Sequence, residues 1–385
     1  MSAILARVAE HGAQPIFLFD LQRQRERLRH DIDRRIAKVL DHGQFILGPE
    51  VAELEAELAA FAGVRHAIGV SSGRDALIMA LMAHGIGRGD AVLVPAFTFS
   101  ATAAVVVSVG ATPIFVDVSP ADCNMAPQGI ADAVARARRA GLIPRAVMPV
   151  DLFGRPADYP AIEAAAQIHR LEVIADAAQS FGGILGGRRV GSLAPLTCVS
   201  FYPTKPLGAF GDGGAILTDD DHLAEVVRQI RTHGRQGDGD EAMRIGMTGR
   251  LDTIQAAVLL SKLSVFKAEL NRRAEIAALY ARLLSGACAL PPADEAAVRS
   301  AWALYTVRVT RRDAVREALS RAQIGTGLFY RVPLHCHPAF RAFVTGEENL
   351  DEAERLSRGV LSLPIGPDLS DAEVHHVAET LLAAL

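Results

Sequence analysis

Residues 200–216 read SFYPTKPLGAFGDGGAI, a stretch that sets one lysine, Lys205, between Pro203 and Pro206 and places four glycines and an aspartate in the next nine positions. A surface lysine is tolerated on almost any helix face and needs no such setting. Lys205 instead follows an apolar run, TCVSF, and is held there by prolines and a glycine-rich turn. That arrangement suits a lysine placed for phosphate contact or for covalent work.

Working outward, TCVSF is the sixth of seven short apolar runs: HAIGV (66–70), AVLV (91–94), PIFV (113–116), RAVMPV (145–150), EVIAD (172–176), TCVSF (197–201) and GAILT (214–218). Runs of this length without polar alternation read as strands buried on both faces. Segments with helical periodicity, such as RDALIMALMAHG (74–85) and PAIEAAAQIHR (160–170), separate the first five. The rhythm is that of βαβ units. It predicts an α/β fold with a mixed, mainly parallel seven-stranded sheet and helices on both faces. The last two runs flank the lysine stretch so closely that at least one pairing there is expected to be antiparallel. PEVAELEAELAAFAG (49–63) carries Val51, Leu54, Leu58 and Phe61 at helical spacing, with Pro49 suited to the first turn and Gly63 to the stop. A charged, Ala- and Leu-rich helical stretch from Ser264 to Leu290 is expected to leave the large domain. WALYTVRV (302–309) and RRDAVREALSRAQIG (311–325) then read as the strand and helix of a smaller C-terminal α+β domain. The expected division is an N-terminal arm over 1–30, a large domain over 31–263 and a small domain over 264–385.

The chain has 385 residues, 50% of them hydrophobic and 22% charged, enough to bury a large core. A net charge of −4 without any basic run gives no general attraction to nucleic acid or to an anionic membrane. Cys123, Cys198, Cys288 and Cys336 are widely spaced and form no CxxC pair, which argues against a disulfide framework or structural zinc and for a reducing compartment. The N-terminus lacks the uninterrupted apolar core of a signal peptide. The most apolar later run, ATAAVVVSVGATPIFVDV (101–118), is interrupted by Ser108, Gly110, Thr112 and Pro113 and is too short to span a bilayer. A soluble cytoplasmic protein is expected.

Three features fall where strands end. GVSSGRDALIMAL (69–81) runs from a strand through a Ser-Ser-Gly turn into a helix, either a plain N-cap or a cradle for phosphate. EVIADAAQSFGG (172–183) brings Asp176 to the end of an apolar strand, as an N-cap or as the partner of a cation, with Gln179 three residues on. Lys205, with Ser200 five residues before it, is the third. Together they suit pyridoxal 5′-phosphate, which needs a phosphate cradle, an acid at its ring nitrogen and an amine for its aldehyde. Phe99, in PAFTFSAT, is either a core residue or a stacking face for the ring.

In this order, SSGRDAL, VPAFTFSATA, VIADAAQSFGG, SFYPTKPLGAFGDGGAI and GRLDTIQAAVL resemble the DegT family of nucleotide-sugar aminotransferases, over about Phe45 to Pro338. DHGQFILGPEV and GRLDTIQAA look most like enzymes that aminate C3 of a UDP-linked 3-keto sugar, such as a 2-acetamido-3-keto-glucuronate. The resemblance implies a PLP-dependent transferase of fold type I, a homodimer with active sites at the interface, and L-glutamate as amino donor. By position, Lys205 would be the Schiff-base lysine and proton shuttle, Asp176 the partner of the pyridine nitrogen, and Gln179 a hydrogen-bond partner of the ring oxygen. Ser200, Gly73 and the backbone at Arg74 would hold the phosphate and Phe99 would stack on the ring. Arg250 would reach in from the partner subunit, and Tyr330 would line the sugar site.

The sequence departs from the family at three places. Arg74 stands where the family usually has Thr, and is expected to supply a charge-assisted phosphate contact. Thr248 stands where the family often has Asn, presented to the same phosphate by the partner subunit. Phe329 precedes Tyr330 where C3-aminating relatives carry His, so either Arg331 takes a uronic carboxylate or the sugar is an uncharged keto-deoxy sugar. A 4-keto-6-deoxy nucleotide sugar is the alternative acceptor. A PLP-dependent sugar dehydratase, which replaces the lysine with His, is disfavoured by Lys205. A nicotinamide oxidoreductase is disfavoured by the wrong glycine spacing in GVSSGRDAL, and a non-catalytic cofactor-binding regulator by the intact Lys205, Asp176 and Gln179. His335, Cys336 and His337 in HCHP are read as a loop with alternating faces rather than a metal site, His335 being placed toward the substrate.

Overall fold

The computed structural model describes residues 15–237 and 239–385. The first fourteen residues of the expected N-terminal arm lie outside the described residues. The large layer runs α1 (Leu21–His42), α2 (Pro49–Ala62), β1 (His66–Val70), α3 (Gly73–Ala83), β2 (Asp90–Pro95), α4 (Ala101–Ser108), β3 (Thr112–Val116), α5 (Ile130–Arg139), β4 (Ile143–Val147), α6 (Tyr159–His169), β5 (Glu172–Asp176), β6 (Leu196–Ser200), β7 (Gly214–Thr218) and α7 (Asp221–Arg231). All seven apolar runs are strands of one sheet, ordered β1-β7-β6-β5-β4-β2-β3. β2, β3, β4, β5 and β6 pair in parallel. β7 lies antiparallel to both β6 and β1.

The alternation of side chains explains why these runs lack a polar face. Along β2, Val92 and Val94 enter the apolar cluster on one side of the sheet, while Ala91 and Leu93 enter the cluster on the other. Both faces are covered, so every position must be apolar. α2 starts at Pro49 and stops at Gly63, whose φ of 74° lies in the left-handed region that glycine enters without strain.

α8 (Thr253–Leu283) is one helix of 31 residues. It leads to β8 (Tyr305–Arg308), α9 (Arg312–Arg321), α10 (Asp351–Gly359), β9 (Val360–Leu363) and α11 (Asp371–Ala384), with β8 and β9 paired antiparallel. A separate core gathers Tyr280, Tyr305, Val307, Leu363 and Val374. Positions 30 and 263, where the sequence suggested the chain divides, both fall inside continuous helices, α1 and α8. The first half of α8 buries Ala256, Ala257, Val258, Leu259 and Leu260 in succession, so it shows no amphipathic period by which its start could be read. α1 packs Leu28 and Ile32 on Val258 of α8, and Arg27 of α1 pairs with the buried Glu269.

The antiparallel β7 positions the lysine. Ser200, the last residue of β6, pairs with Gly214, the first of β7, so the connection 201–213 leaves and re-enters the sheet at one edge. A Cβ on Gly214 would lie 2.6 Å from the Ser72 carbonyl and 2.7 Å from the Val199 oxygen. Gly214 therefore admits neighbouring protein backbone at this crossing. Gly214→Ala is expected to lower the unfolding free energy by about 2–3 kcal/mol, since the clash is with backbone that cannot rotate away; urea unfolding at neutral pH measures it.

Candidate active site

The carboxyl ends of β1, β2, β5 and β6, with the loop after β4, surround a cavity of about 380 Å³. Ligand sites of open α/β sheets lie at this end of the strands. Gly73, Arg74, Phe99, Asp176 and Gln179 line it, as do Ser200, Lys205, Phe329 and Tyr330. Residues spread over more than 250 positions of sequence thus meet at one place.

At one end of the cavity α3 begins. Ser72 caps it, its hydroxyl accepting from the Asp75 N–H at 3.0 Å. The first-turn N–H groups of such a helix have no intrahelical acceptor and favour an anion. A Cβ at Gly73 would come within 2.5 Å of the Ser200 Cβ and 3.0 Å of its Oγ, so only glycine lets Ser200 sit against this helix start. Thr98, which also lines the cavity, has a buried hydroxyl with no hydrogen-bond partner among the described residues.

Asp176 closes the far side of β5. Its Oδ2 accepts from the Thr102 hydroxyl at 2.9 Å and its Oδ1 from the Ala178 N–H at 3.2 Å. Burial raises the carboxyl above the ordinary aspartate value, opposed by those two hydrogen bonds and by the charge of Lys205. Burial likewise lowers the Lys205 amine below the ordinary lysine value, opposed by Asp176. A desolvated amine and a desolvated carboxylate therefore share one cavity, each making the other's charge tolerable.

Gln179 is held from both sides. Its Oε1 accepts from the Phe153 N–H at 2.8 Å, and its Nε2 donates to the Tyr330 hydroxyl at 3.2 Å. With the oxygen committed to backbone, the amide nitrogen is the group turned toward the cavity. Phe99 is 56% exposed, with its ring centroid 6.1 Å from that of Tyr330, an uncovered aromatic face at the mouth. A second cavity of about 280 Å³ continues past Lys205, walled by Phe19, Ala303, Leu304 and Phe329.

The remaining candidate residues turn away from the cavity or lie outside it. Arg74 lines the cavity with its guanidinium turned to the Ser108 hydroxyl, 2.9 Å away, at the end of α4. Thr248 is exposed with its hydroxyl 3.4 Å from His233 Nε2, and Arg250 bridges Val70 at the sheet edge; neither lines this chain's own cavity. Arg331 is exposed outside this chain's cavity and, after Arg312, helps hold the Asp313 carboxyl below its ordinary value. His335 also points away from the cavity: its Nε2 lies 3.3 Å from Glu354 Oε1. HCHP does not alternate faces as an extended strand would, because Leu334–Cys336 is a 3₁₀ turn that brings His335 and Cys336 within 4.8 Å of Glu354. Burial raises the Cys336 thiol above its ordinary value.

Several site residues escaped the sequence reading: Thr102 behind Asp176, Tyr202, Thr204 and Asp212 around Lys205, and Phe19 and Leu304 in the second cavity. Tyr202, Thr204 and Asp212 lay inside the quoted lysine stretch, where their polarity among glycines was the available signal. Phe19 and Leu304 carried none, being single apolar residues far from the motifs.

A family model described as DegT/DnrJ/EryC1/StrS aminotransferase matches residues 26–382. The chain belongs to that family. It is 41% identical over 367 residues to the UDP-2-acetamido-2-deoxy-3-oxo-D-glucuronate aminotransferase of Pseudomonas aeruginosa, covering 95% of this chain and 99% of that protein. It is also 41% identical to the dTDP-3-amino-3,4,6-trideoxy-alpha-D-glucose transaminase of Streptomyces venezuelae, covering 94% of each. Among solved structures, a family aminotransferase from Brucella abortus superposes with a TM-score of 0.93 at 42% identity, covering 96% of this chain and 99% of that one. Family membership accounts for the mixed sheet and for the order of the motifs along it.

The amine makes a stability prediction. A lysine whose pKa is lowered by folding binds fewer protons in the native state, so it destabilises the fold at neutral pH, and stability rises as pH climbs toward the ordinary lysine value. Lys205→Met is therefore expected to make the cofactor-free protein as stable as wild type or more so at pH 7, with the difference shrinking by pH 9.5 in urea unfolding.

Proposed function

We propose that this family member is a PLP-dependent aminotransferase that moves an amino group from L-glutamate to the C3 keto group of a UDP-linked sugar. In this reading it works as a cytoplasmic homodimer with shared active sites. The observation that carries the chemistry is the joint placement of Lys205, Asp176 and the Ser72–Gly73–Ser200 helix start around one cavity. The position of amination is supported by the names of the relatives, and UDP by two of them. Of the two 41%-identical relatives, one names a 3-oxo group on a UDP sugar and the other a 3-amino group on a dTDP sugar.

The residues fit the cofactor by chemistry. The helix start with Gly73 and Ser200 suits a phosphate, Asp176 suits a protonated ring nitrogen, the Gln179 amide nitrogen suits a ring oxygen, and Phe99 suits the ring face. Bound there, the cofactor supplies an aldehyde that takes up the amino group and a ring that withdraws electrons. Lys205 Nζ, made more readily neutral by burial, takes the proton from the donor's α-carbon. In the second half it delivers a proton to C3 of the sugar. Thr102 and the Ala178 N–H oppose the effect of burial on Asp176 and stabilise the anion that would face the ring nitrogen.

A dimer is supported by exposed apolar side chains, among them Phe45, Ile46 and Leu47 after α1 and Met243 and Ile245 in the segment leading to Thr248. Thr248 and Arg250 are then free to serve the cavity of the other copy.

The test is the visible absorbance of purified protein loaded with pyridoxal phosphate. L-Glutamate is expected to bleach the band, and a UDP-3-keto sugar to restore it. A band that persists with glutamate would sink the aminotransferase reading. Mixing Lys205→Ala and Arg250→Ala subunits, each inactive alone, is expected to restore about a quarter of wild-type activity if sites are shared. No recovery on mixing would place Arg250 in its own subunit's function.

A further inference from the structure

Beneath the cavity lies a carboxylate that the reaction above leaves unused. Asp151 sits in the turn after β4 and is fully buried. Its Oδ1 accepts from the Ala157 N–H at 2.8 Å and the Tyr159 hydroxyl at 2.9 Å, and its Oδ2 from the Ser180 hydroxyl at 2.6 Å. All three partners are neutral, and no cation of the described residues lies within ion-pair distance of it. A buried carboxylate without a cation is costly, and a purely apolar side chain would fill the same place without that cost.

The partners show what the carboxylate holds. Ser180 adjoins Gln179 in the turn that follows Asp176. The Asp151 N–H donates to the Asp176 carbonyl at 3.1 Å, and the Asp176 N–H donates to the Pro149 carbonyl at 2.9 Å. Two residues on, Phe153 has a φ of 60°, unusual for a bulky side chain, and its N–H is the donor that fixes Gln179 Oε1. The turn 149–154 thus grips the turn 176–180 at three points: backbone at Asp176, side chain at Ser180 and amide at Gln179. The same turn reaches the second cavity, since the Phe153 carbonyl accepts from the Leu304 N–H at 3.2 Å and the Gly154 carbonyl from the Ala301 N–H at 2.8 Å.

We propose that Asp151 is a positioning residue: by tying Ser180 to the turn after β4 it sets the direction in which the Asp176 carboxylate and the Gln179 amide face the cavity. Its role in catalysis rests on the aminotransferase reading, but its role in geometry does not. Direct action on substrate is not involved, because Asp151 lines neither cavity.

The test compares Asp151→Ala, Asp151→Asn, Ser180→Ala and the double variant Asp151→Ala with Ser180→Ala. Binding of pyridoxal phosphate is followed by equilibrium dialysis, and hydrogen exchange of residues 176–180 is followed in the cofactor-free protein. Asp151→Asn keeps an oxygen for Ala157 and Tyr159 and an amide for the Ser180 oxygen, so it is expected to stay close to wild type. Asp151→Ala is expected to weaken cofactor binding roughly tenfold or more, to lower kcat with little change in the KM for the nucleotide sugar, and to speed exchange at 176–180. The double variant is expected to match Asp151→Ala, because both changes cut the same link.

An Asp151→Ala protein that unfolds more easily yet binds pyridoxal phosphate within about twofold of wild type and exchanges normally at 176–180 would overturn the proposal. Independent, multiplying effects of the two single variants would also overturn it. If Asp151→Ala fails to fold, Ser180→Ala decides through the same two measurements. If wild type itself binds no pyridoxal phosphate, the functional reading fails, while the exchange data still decide whether Asp151 holds the turn.

Discussion

Three segments of chain cross at the start of α3 with almost no side chain between them, and the site depends on that crossing. Gly73 leaves room for Ser200 and Gly214 leaves room for Ser72, so the ends of β1, β6 and β7 interlock. The interlock places a helix N-terminus, a serine hydroxyl and the root of the Lys205 loop side by side. A methyl group at either glycine would push them apart by a clash against backbone or a neighbouring Cβ, which close packing cannot absorb cheaply. The antiparallel pairing of β7 follows from the same place, since it returns the lysine loop to the edge it left.

Around this crossing the electrostatics are arranged by burial more than by ion pairing. Lys205 and Asp176 are each shifted toward neutrality by desolvation and each pulled back by the other. That balance makes the amine easier to deprotonate and the carboxylate harder to ionise than in water, each change limited by the other's charge. Gln179 and Tyr330 add directed hydrogen bonds, and Asp151, one layer beneath, anchors the turn that carries two of these groups.

Much of the architecture was legible because it is repetitive. A sheet covered on both faces demands uninterrupted apolar runs, and all seven were visible; Pro49 and Gly63 marked the ends of α2. The motif residues Lys205, Asp176, Gln179, Ser200 and Gly73 were legible because polar or glycine residues at strand ends stand out against those runs. The continuity of α8 was hidden by a stretch buried all round, and α1 by an arginine-rich surface that masks its Leu28 and Ile32 face. His335 and Arg331 lie outside this chain's own cavity, because proximity in sequence to Tyr330 says nothing about which way a turn points its side chains. Asp151 announced itself only as an acid after an apolar strand, and its three donors come from Ala157, Tyr159 and Ser180, which no local pattern links.

The central claim is that Lys205 is the amine that meets the cofactor's aldehyde. The chain has only four lysines, Lys38, Lys205, Lys262 and Lys267, and Lys262 is a demanding control. It too is buried, its amine lowered to about 8, and it lies over the Phe210 ring at 4.7 Å. Loading the protein with pyridoxal phosphate, reducing with borohydride and mapping the labelled peptide by mass spectrometry tests the claim directly. The label is expected on Lys205 alone; a label on Lys262, or spread over all four lysines, would contradict it.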